Sequence, residues 1–219
     1  MQNITIKRLK GEINDLSKNK SLQFQAFCEE SDIFTFYFIL RDLDEPYKGG
    51  YYIGKILLPV EYPTKAGDIM MLTPNGRFEI GKKICLSNSG YHPESWSPMW
   101  TIRNMLIGFV SIFLDDEAYG ISHIKEPTNI RIKYAQDSVN YNITYYSAIF
   151  RKFNYFVNED LTIKSNDEID CIINNKPIKF KLDINKLDDY TFNDFIKYFK
   201  GISYDSFNNN IYRYFSGKF

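Results

Sequence analysis

The residue of this sequence best suited to covalent chemistry is Cys85, set in Ile84-Cys85-Leu86-Ser87. A thiolate accepts an acyl group readily and gives it up to an amine, and no Cys-His dyad is evident around it. An exposed cysteine here therefore suits an acyl carrier better than a protease. The competing reading is a small buried hydrophobe between Ile84 and Leu86. Upstream, Thr73-Pro74-Asn75-Gly76 has the residues of a tight turn. An amide donor fixed in such a turn can stabilise the tetrahedral oxyanion of acyl transfer, by roughly 3 kcal/mol in a well-measured hydrolase. Asn75 is also a turn former in its own right, and the two roles are compatible. His92 could deprotonate an incoming nucleophile, while a His-Pro pair at a loop bend also serves structure. Trp96 and Trp100 are read as anchors of the surrounding loop.

These residues need a scaffold, and 219 residues with 44% hydrophobic content can bury a full core. Ile6, Leu9, Ile13 and Leu16 recur at helical spacing and predict an N-terminal helix with that apolar face, its basic residues exposed. Leu22 to Cys28, Ile33 to Arg41, Tyr51 to Leu58 and Ile69 to Leu72 predict four strands of an antiparallel meander. Periodicity is then lost until Thr101 to Leu114, a buried helix started by Thr101 or Ser97. A long irregular stretch before a helix points to function. Two helical segments are expected in 127–157. In the tail, Ile169 to Ile173 and Ile178 to Leu182 read as a hairpin, and Thr191 to Lys200 as a capped helix.

Lysine plus arginine equal aspartate plus glutamate at 27 each, so no global basic field argues for nucleic acid or an anionic membrane. The start MQNITIKRLK lacks the apolar core of a signal peptide, and no apolar run is long enough to span a bilayer. The expectation is a soluble cytoplasmic or nuclear protein. Cys28, Cys85 and Cys171 are odd in number and far apart, which predicts reduced thiols; with only His92 and His123 beside them no zinc spacing emerges.

Taken in order, Tyr62-Pro63, Thr73-Pro74-Asn75-Gly76-Arg77-Phe78, Ile84-Cys85-Leu86-Ser87, His92-Pro93-Glu94 and Trp96-Ser97-Pro98 resemble the active-site region of ubiquitin-conjugating enzymes. The likeness is to the divergent, tail-anchored branch serving degradation at the endoplasmic reticulum. There TPNGRF replaces the common His-Pro-Asn form and an HPxxWxPxW-type insertion follows the cysteine. Pro46-Tyr47-Lys48-Gly49-Gly50-Tyr51-Tyr52 and Lys7-Arg8-Leu9 extend the resemblance to roughly residues 4 to 125. It implies a thioester of ubiquitin or a ubiquitin-like protein on Cys85, loaded by a separate ATP-consuming activating enzyme and passed to an acceptor protein with a RING-type ligase. It implies no cofactor and no metal. Asn75 matches the family's oxyanion asparagine. Lys7, Arg8, Thr64, Lys65, Ser97, Pro98 and Met99 fall where the family meets its partners.

Three differences from the family pattern bear on this reading, the first of them, at the acceptor-guiding position, shared with the divergent branch. Many relatives place an acceptor-guiding aspartate where this chain has Tyr119-Gly120-Ile121-Ser122-His123, which opens serine or threonine hydroxyls as acceptors beside lysine. Thr64 also replaces the apolar knob that enters a RING groove. The branch's anchor is not expected within 158–219, which is too polar to span a bilayer. The resulting expectation is an α+β conjugating-enzyme core over 1–157, with an extension over 158–219. The extension is expected to pack beside the helices of 127–157, away from Cys85. Three rivals stand beside it: a catalytically silent binding module of the same fold, a carrier of a different modifier, and a cysteine hydrolase, which lacks an obvious His-Asp partner set.

Overall fold

The computed structural model describes residues 2–85 and 96–176. Five strands, β1 (Phe24–Cys28), β2 (Thr35–Leu40), β3 (Tyr52–Leu57), β4 (Asp68–Met71) and β5 (Lys83–Ile84), form one antiparallel meander in chain order. The four expected strands are present with their ends shifted by a residue or two. The fifth, β5, is too short to show a period, and it leads directly to Cys85. Strand alternation sends Phe36, Phe38, Leu40, Tyr52 and Ile56 to one face. There they meet α2 (Ile102–Leu114), whose Met105, Leu106, Phe109 and Phe113 are buried. Phe109 stands edge-on to Phe38 at 5.9 Å. The Thr101 side chain caps α2 by accepting from the Asn104 N–H, at the start the sequence predicts.

Helix α1 (Gln2–Lys18) is present but rotated from expectation. Leu9 and Leu16 are buried, whereas Ile6 and Ile13 are 41% and 42% exposed. Thr5 and Glu12 take the inward places, since the spacing 5, 9, 12, 16 is as helical as 6, 9, 13, 16. The Glu12 carboxylate decides the rotation. It accepts from Arg8 Nε (2.6 Å), the Tyr62 hydroxyl (2.6 Å) and the Ile102 N–H (2.9 Å), which supply the partners a buried charge requires.

The two helical segments expected in 127–157 join as α3 (Thr128–Lys152), with a non-helical φ of −137° at Tyr146 marking the break. Asn142 and Ser138 of α3 bind the Tyr51 carbonyl and N–H at 2.8 and 2.9 Å, and the Thr73 hydroxyl donates to Asn142 at 2.6 Å. The helix thereby fixes the strand end before the turn. Beyond it, Phe153 packs on Phe27 of β1, and Asn154 and Tyr155 both bind the Gln25 side chain.

The chain divides into two compact units, one ending at Lys164 and one beginning at Ser165. In the second, α4 (Asn166–Ile173) corrects the expected hairpin: Ile169 to Ile173 is helical. A reciprocal capping box overrides the strand-like isoleucines, with the Ser165 hydroxyl accepting from the Glu168 N–H and the Glu168 carboxylate accepting from the Ser165 N–H. The expected strand Ile178 to Leu182 and helix Thr191 to Lys200 lie outside the described residues. Among the described residues, no helix is long and apolar enough to cross a membrane.

Candidate active site

After β4 the chain reverses through Thr73-Pro74-Asn75-Gly76, where Gly76 has φ +73°, a conformation that suits glycine. Asn75 is 1% exposed. Its Oδ1 accepts from the Arg77 and Phe78 N–H groups at 2.8 and 2.7 Å, and its Nδ2 donates to the Thr73 carbonyl at 3.0 Å. The turn releases Arg77 into the interior, where its guanidinium donates to the carbonyls of Asp115 (2.7 Å), Ala118 (2.6 Å) and Ile124 (3.4 Å). Burial pulls its pKa below the usual arginine value, with Tyr47 and Asp116 working the other way. Arg131, also buried, grips the same loop through the Asp116 carboxylate (2.6 Å) and the Glu126 carbonyl (2.7 Å).

The loop 115–126, so gripped, lies along 76–85. Glu126 donates to the Gly76 carbonyl, Ile124 to Arg77, and Glu79 to Ser122, each through its backbone N–H at 2.9 to 3.0 Å. The Ser122 hydroxyl reaches the Lys83 carbonyl at 2.9 Å, and the Cys85 N–H reaches the Ile121 carbonyl at 3.1 Å. Cys85 is half-buried and reduced. A side chain at Gly120 would place its Cβ 3.2 Å from Cys85 Cβ, a tight contact, so the loop runs close to the cysteine at a residue without a Cβ. The result is a nucleophile-bearing strand end walled on one side by a loop anchored to the core. That arrangement can hold an acyl group on sulfur and fix the side from which an acceptor approaches.

Elsewhere three segments meet. Arg8 of α1 donates to the Trp100 carbonyl (2.7 Å) and lies over the Tyr62 ring, while the Trp96 indole N–H donates to the Pro63 carbonyl (2.8 Å). Lys7, Thr64, Lys65, Pro98 and Met99 are exposed around this junction; Arg8 and Ser97 are half-buried.

A family model described as "Ubiquitin-conjugating enzyme" matches residues 8–143, which takes in the sheet, the Asn75 turn, Cys85 and the loop 115–126. The chain belongs to the ubiquitin-conjugating enzyme family. It is 39% identical over 138 residues to "Ubiquitin-conjugating enzyme E2 J2-like" of Dictyostelium discoideum, covering 63% of this chain and 81% of that protein. It is 45% identical over 112 residues to "Probable ubiquitin-conjugating enzyme E2 33" of Arabidopsis thaliana, covering 51% of this chain and 46% of that one. To the human "Ubiquitin-conjugating enzyme E2 J1" it is 46% identical over 106 residues, 48% of this chain and 33% of that one. The chain thus spans less than half the length of the latter two. Among solved structures, human ubiquitin-conjugating enzyme E2 G1 aligns at TM-score 0.47 and 20% identity over 52% of this chain and 98% of that one.

Of the site residues expected in this chain, Cys85 and Asn75 are placed as described, and His92 lies outside the described residues. Lys7, Arg8, Thr64, Lys65 and 97–99 are gathered around one junction. Sequence reasoning gave no role to three side chains: Glu12, Arg77 and His123. Glu12 is held inward by Tyr62 and the Ile102 N–H, both distant in sequence. Arg77 and His123 bind main-chain carbonyls far along the chain, and a pattern of side chains carries no sign of that.

Proposed function

We propose that this chain carries ubiquitin, or a ubiquitin-like modifier, as a thioester on Cys85 and transfers it to an acceptor protein. The observation that supports this most is the half-buried, reduced Cys85 at the end of β5, inside the family match, with the loop 115–126 along its backbone. In loading, the Cys85 thiolate attacks the thioester on the activating enzyme; one C–S bond forms, the other breaks, and the departing thiolate takes the proton. In discharge, an acceptor amine attacks the Cys85 thioester, the C–N bond forms, the C–S bond breaks to release the Cys85 thiolate, and the nitrogen's proton passes through a base or water to that thiolate.

Asn75 holds the turn and offers its carboxamide to the oxyanion of that second step; one of its two Nδ2–H groups already donates to the Thr73 carbonyl, leaving the other. His92 is the candidate base. The junction of α1 with 62–65 and 96–100 receives the activating enzyme and a RING-type ligase. Ser122 and His123 flank Cys85 where many relatives have an aspartate, so lysine and hydroxyl acceptors should be assayed side by side. Residues 158–219 serve partner recruitment or stability.

The test is to incubate the chain with ubiquitin, activating enzyme and ATP, then run gels with and without reductant. A thiol-sensitive adduct is expected, converted by Cys85→Ser to a reductant-resistant ester and left intact by Cys28→Ser and Cys171→Ser. A thiol-sensitive adduct persisting in Cys85→Ser rules the assignment out.

A further inference from the structure

We propose that His123 is a positioning residue for acyl transfer, holding the Cys85 main chain in register with the wall of the site; this rests on the thioester reading above. Strand β5 ends at Ile84, so the ladder stops just before the reactive residue. The loop 115–126 takes over. The Cys85 N–H is bound by the Ile121 carbonyl at 3.1 Å, and the Cys85 carbonyl is met by His123 Nε2 at 3.0 Å. A carbonyl oxygen only accepts, so this nitrogen binds it by donating a proton. The other ring nitrogen, Nδ1, lies 3.2 Å from the Ala118 carbonyl; a neutral imidazole donates to one of the two carbonyls, with the proton on Nε2 at the shorter contact to Cys85.

The ring is itself fixed. It stands edge-on to Phe78 at 4.9 Å and 81°, and Phe78 is buried against Phe109 and Phe113 of α2. His123 therefore transmits the position of the hydrophobic core to the peptide that carries Sγ. The loop passes close by at Gly120, where an added Cβ would lie 3.2 Å from Cys85 Cβ and 3.4 Å from the His123 ring. Both peptide groups flanking the Cys85 Cα are thus held, one by Ile121 and one by His123. Misplacement of a reacting atom by about 1 Å can cost on the order of 100-fold in rate.

Two substitutions separate positioning from packing. His123→Phe keeps the ring against Phe78 and removes the donor, whereas His123→Gln loses the ring and keeps an N–H that can reach the carbonyl. After loading and quenching of ATP, single-turnover discharge to lysine is expected to slow roughly 10- to 100-fold in His123→Phe, with the activating enzyme's KM unchanged. In His123→Gln it should recover most of the rate. Wild-type discharge by His123→Phe, or a slower rate in His123→Gln than in His123→Phe, overturns the proposal. A wild type that forms no thioester sinks the underlying reading instead, which the loading gel detects first. A third measurement needs no variant to be active. The chain has two histidines, so 15N spectra of labelled imidazoles, assigned with His123→Gln, report whether Nε2 of His123 carries a proton. A protonated, hydrogen-bonded Nε2 is expected, and a bare Nε2 overturns the proposal.

Discussion

Replacing Asn75 by alanine should destabilise the fold as well as slow chemistry. In the folded chain its carboxamide makes three hydrogen bonds at 1% exposure: two accepted from the Arg77 and Phe78 N–H groups and one donated to the Thr73 carbonyl. Alanine leaves two backbone donors and one acceptor unpaired. At about 1–3 kcal/mol for each buried donor left without a partner, the loss comes to roughly 2–6 kcal/mol. For a domain of this size that lowers Tm by roughly 5–20 °C. A residue acting only on the oxyanion would instead cost about 3 kcal/mol in the transition state and nothing in stability. Asn75→Asp distinguishes the two, because its carboxylate still accepts from both N–H groups but cannot donate. Urea unfolding and single-turnover discharge should be measured together. The expectation is a large stability loss for alanine, a smaller one for aspartate, and slow discharge in both. If Asn75→Ala melts with wild type, the turn-holding role derived from the three bonds is wrong. If Asn75→Asp discharges at the wild-type rate, the donor role is wrong.

Glu12→Ala removes the carboxylate shared by Arg8, Tyr62 and the Ile102 N–H and should cost about 3–5 kcal/mol in urea unfolding, with Glu12→Gln losing less; equal stability would mean the network is ornamental. At high pH, Tyr52 and Tyr62 should weaken the fold. Burial holds both phenols above the usual tyrosine range, and in Tyr62 the bond to Glu12 adds to this, so the folded chain favours the protonated form. That stabilisation is fully present below the unfolded value of about 10 and is lost as pH rises through the higher folded value. Unfolding free energy should therefore fall as pH rises above about 10, and a flat or rising profile there contradicts the linkage. Thr64 is exposed, next in the chain to Pro63, whose carbonyl binds the Trp96 indole, so Thr64→Phe should strengthen stimulation by generic RING ligases; strong stimulation of the unmodified chain by a panel of them would show that no apolar knob is needed.

How much was legible depended on whether the deciding partner was local. Strands β1 to β4 and helix α2 follow from period-two alternation, from helical spacing and from the Thr101 cap, all contained in short windows. The inward face of α1 was ambiguous, because Leu9 and Leu16 belong equally to stripes through Ile6 and Ile13 or through Thr5 and Glu12. The choice was made by Tyr62 and Ile102, which stand 50 and 90 residues away. In α4 the deciding signal was local but was overlooked, since Ser165-x-x-Glu168 outweighs the strand-like isoleucines after it. Cys85 and Asn75 stand as candidates from residue type and motif. His123 does not, because it reaches a main-chain carbonyl 38 residues away.

The wall of the site raises an energetic question, since two guanidiniums are buried under one loop and the nearby Asp116 carboxylate pairs directly with only one of them, Arg131. Arg77 is compensated mainly by three carbonyl dipoles, a weaker return than an ion pair for a desolvated charge. What this arrangement provides is geometry: a planar fork can bind several carbonyls of one loop at once, beside the backbone bonds that join it to 76–85. The same turn that sends Arg77 to the far end of the loop sends Phe78 into the core, and Phe78 carries the ring of His123. A continuous set of contacts therefore runs from Asn75 through Phe78 and His123 to the Cys85 carbonyl. Disturbing the Asn75 turn should displace the cysteine's surroundings even if its amide never touches an oxyanion. Slow discharge by Asn75→Ala alone consequently has two physical explanations. They separate when His123→Phe is combined with Asn75→Ala: effects transmitted along the shared contacts will be less than additive, and effects from an independent oxyanion donor will add.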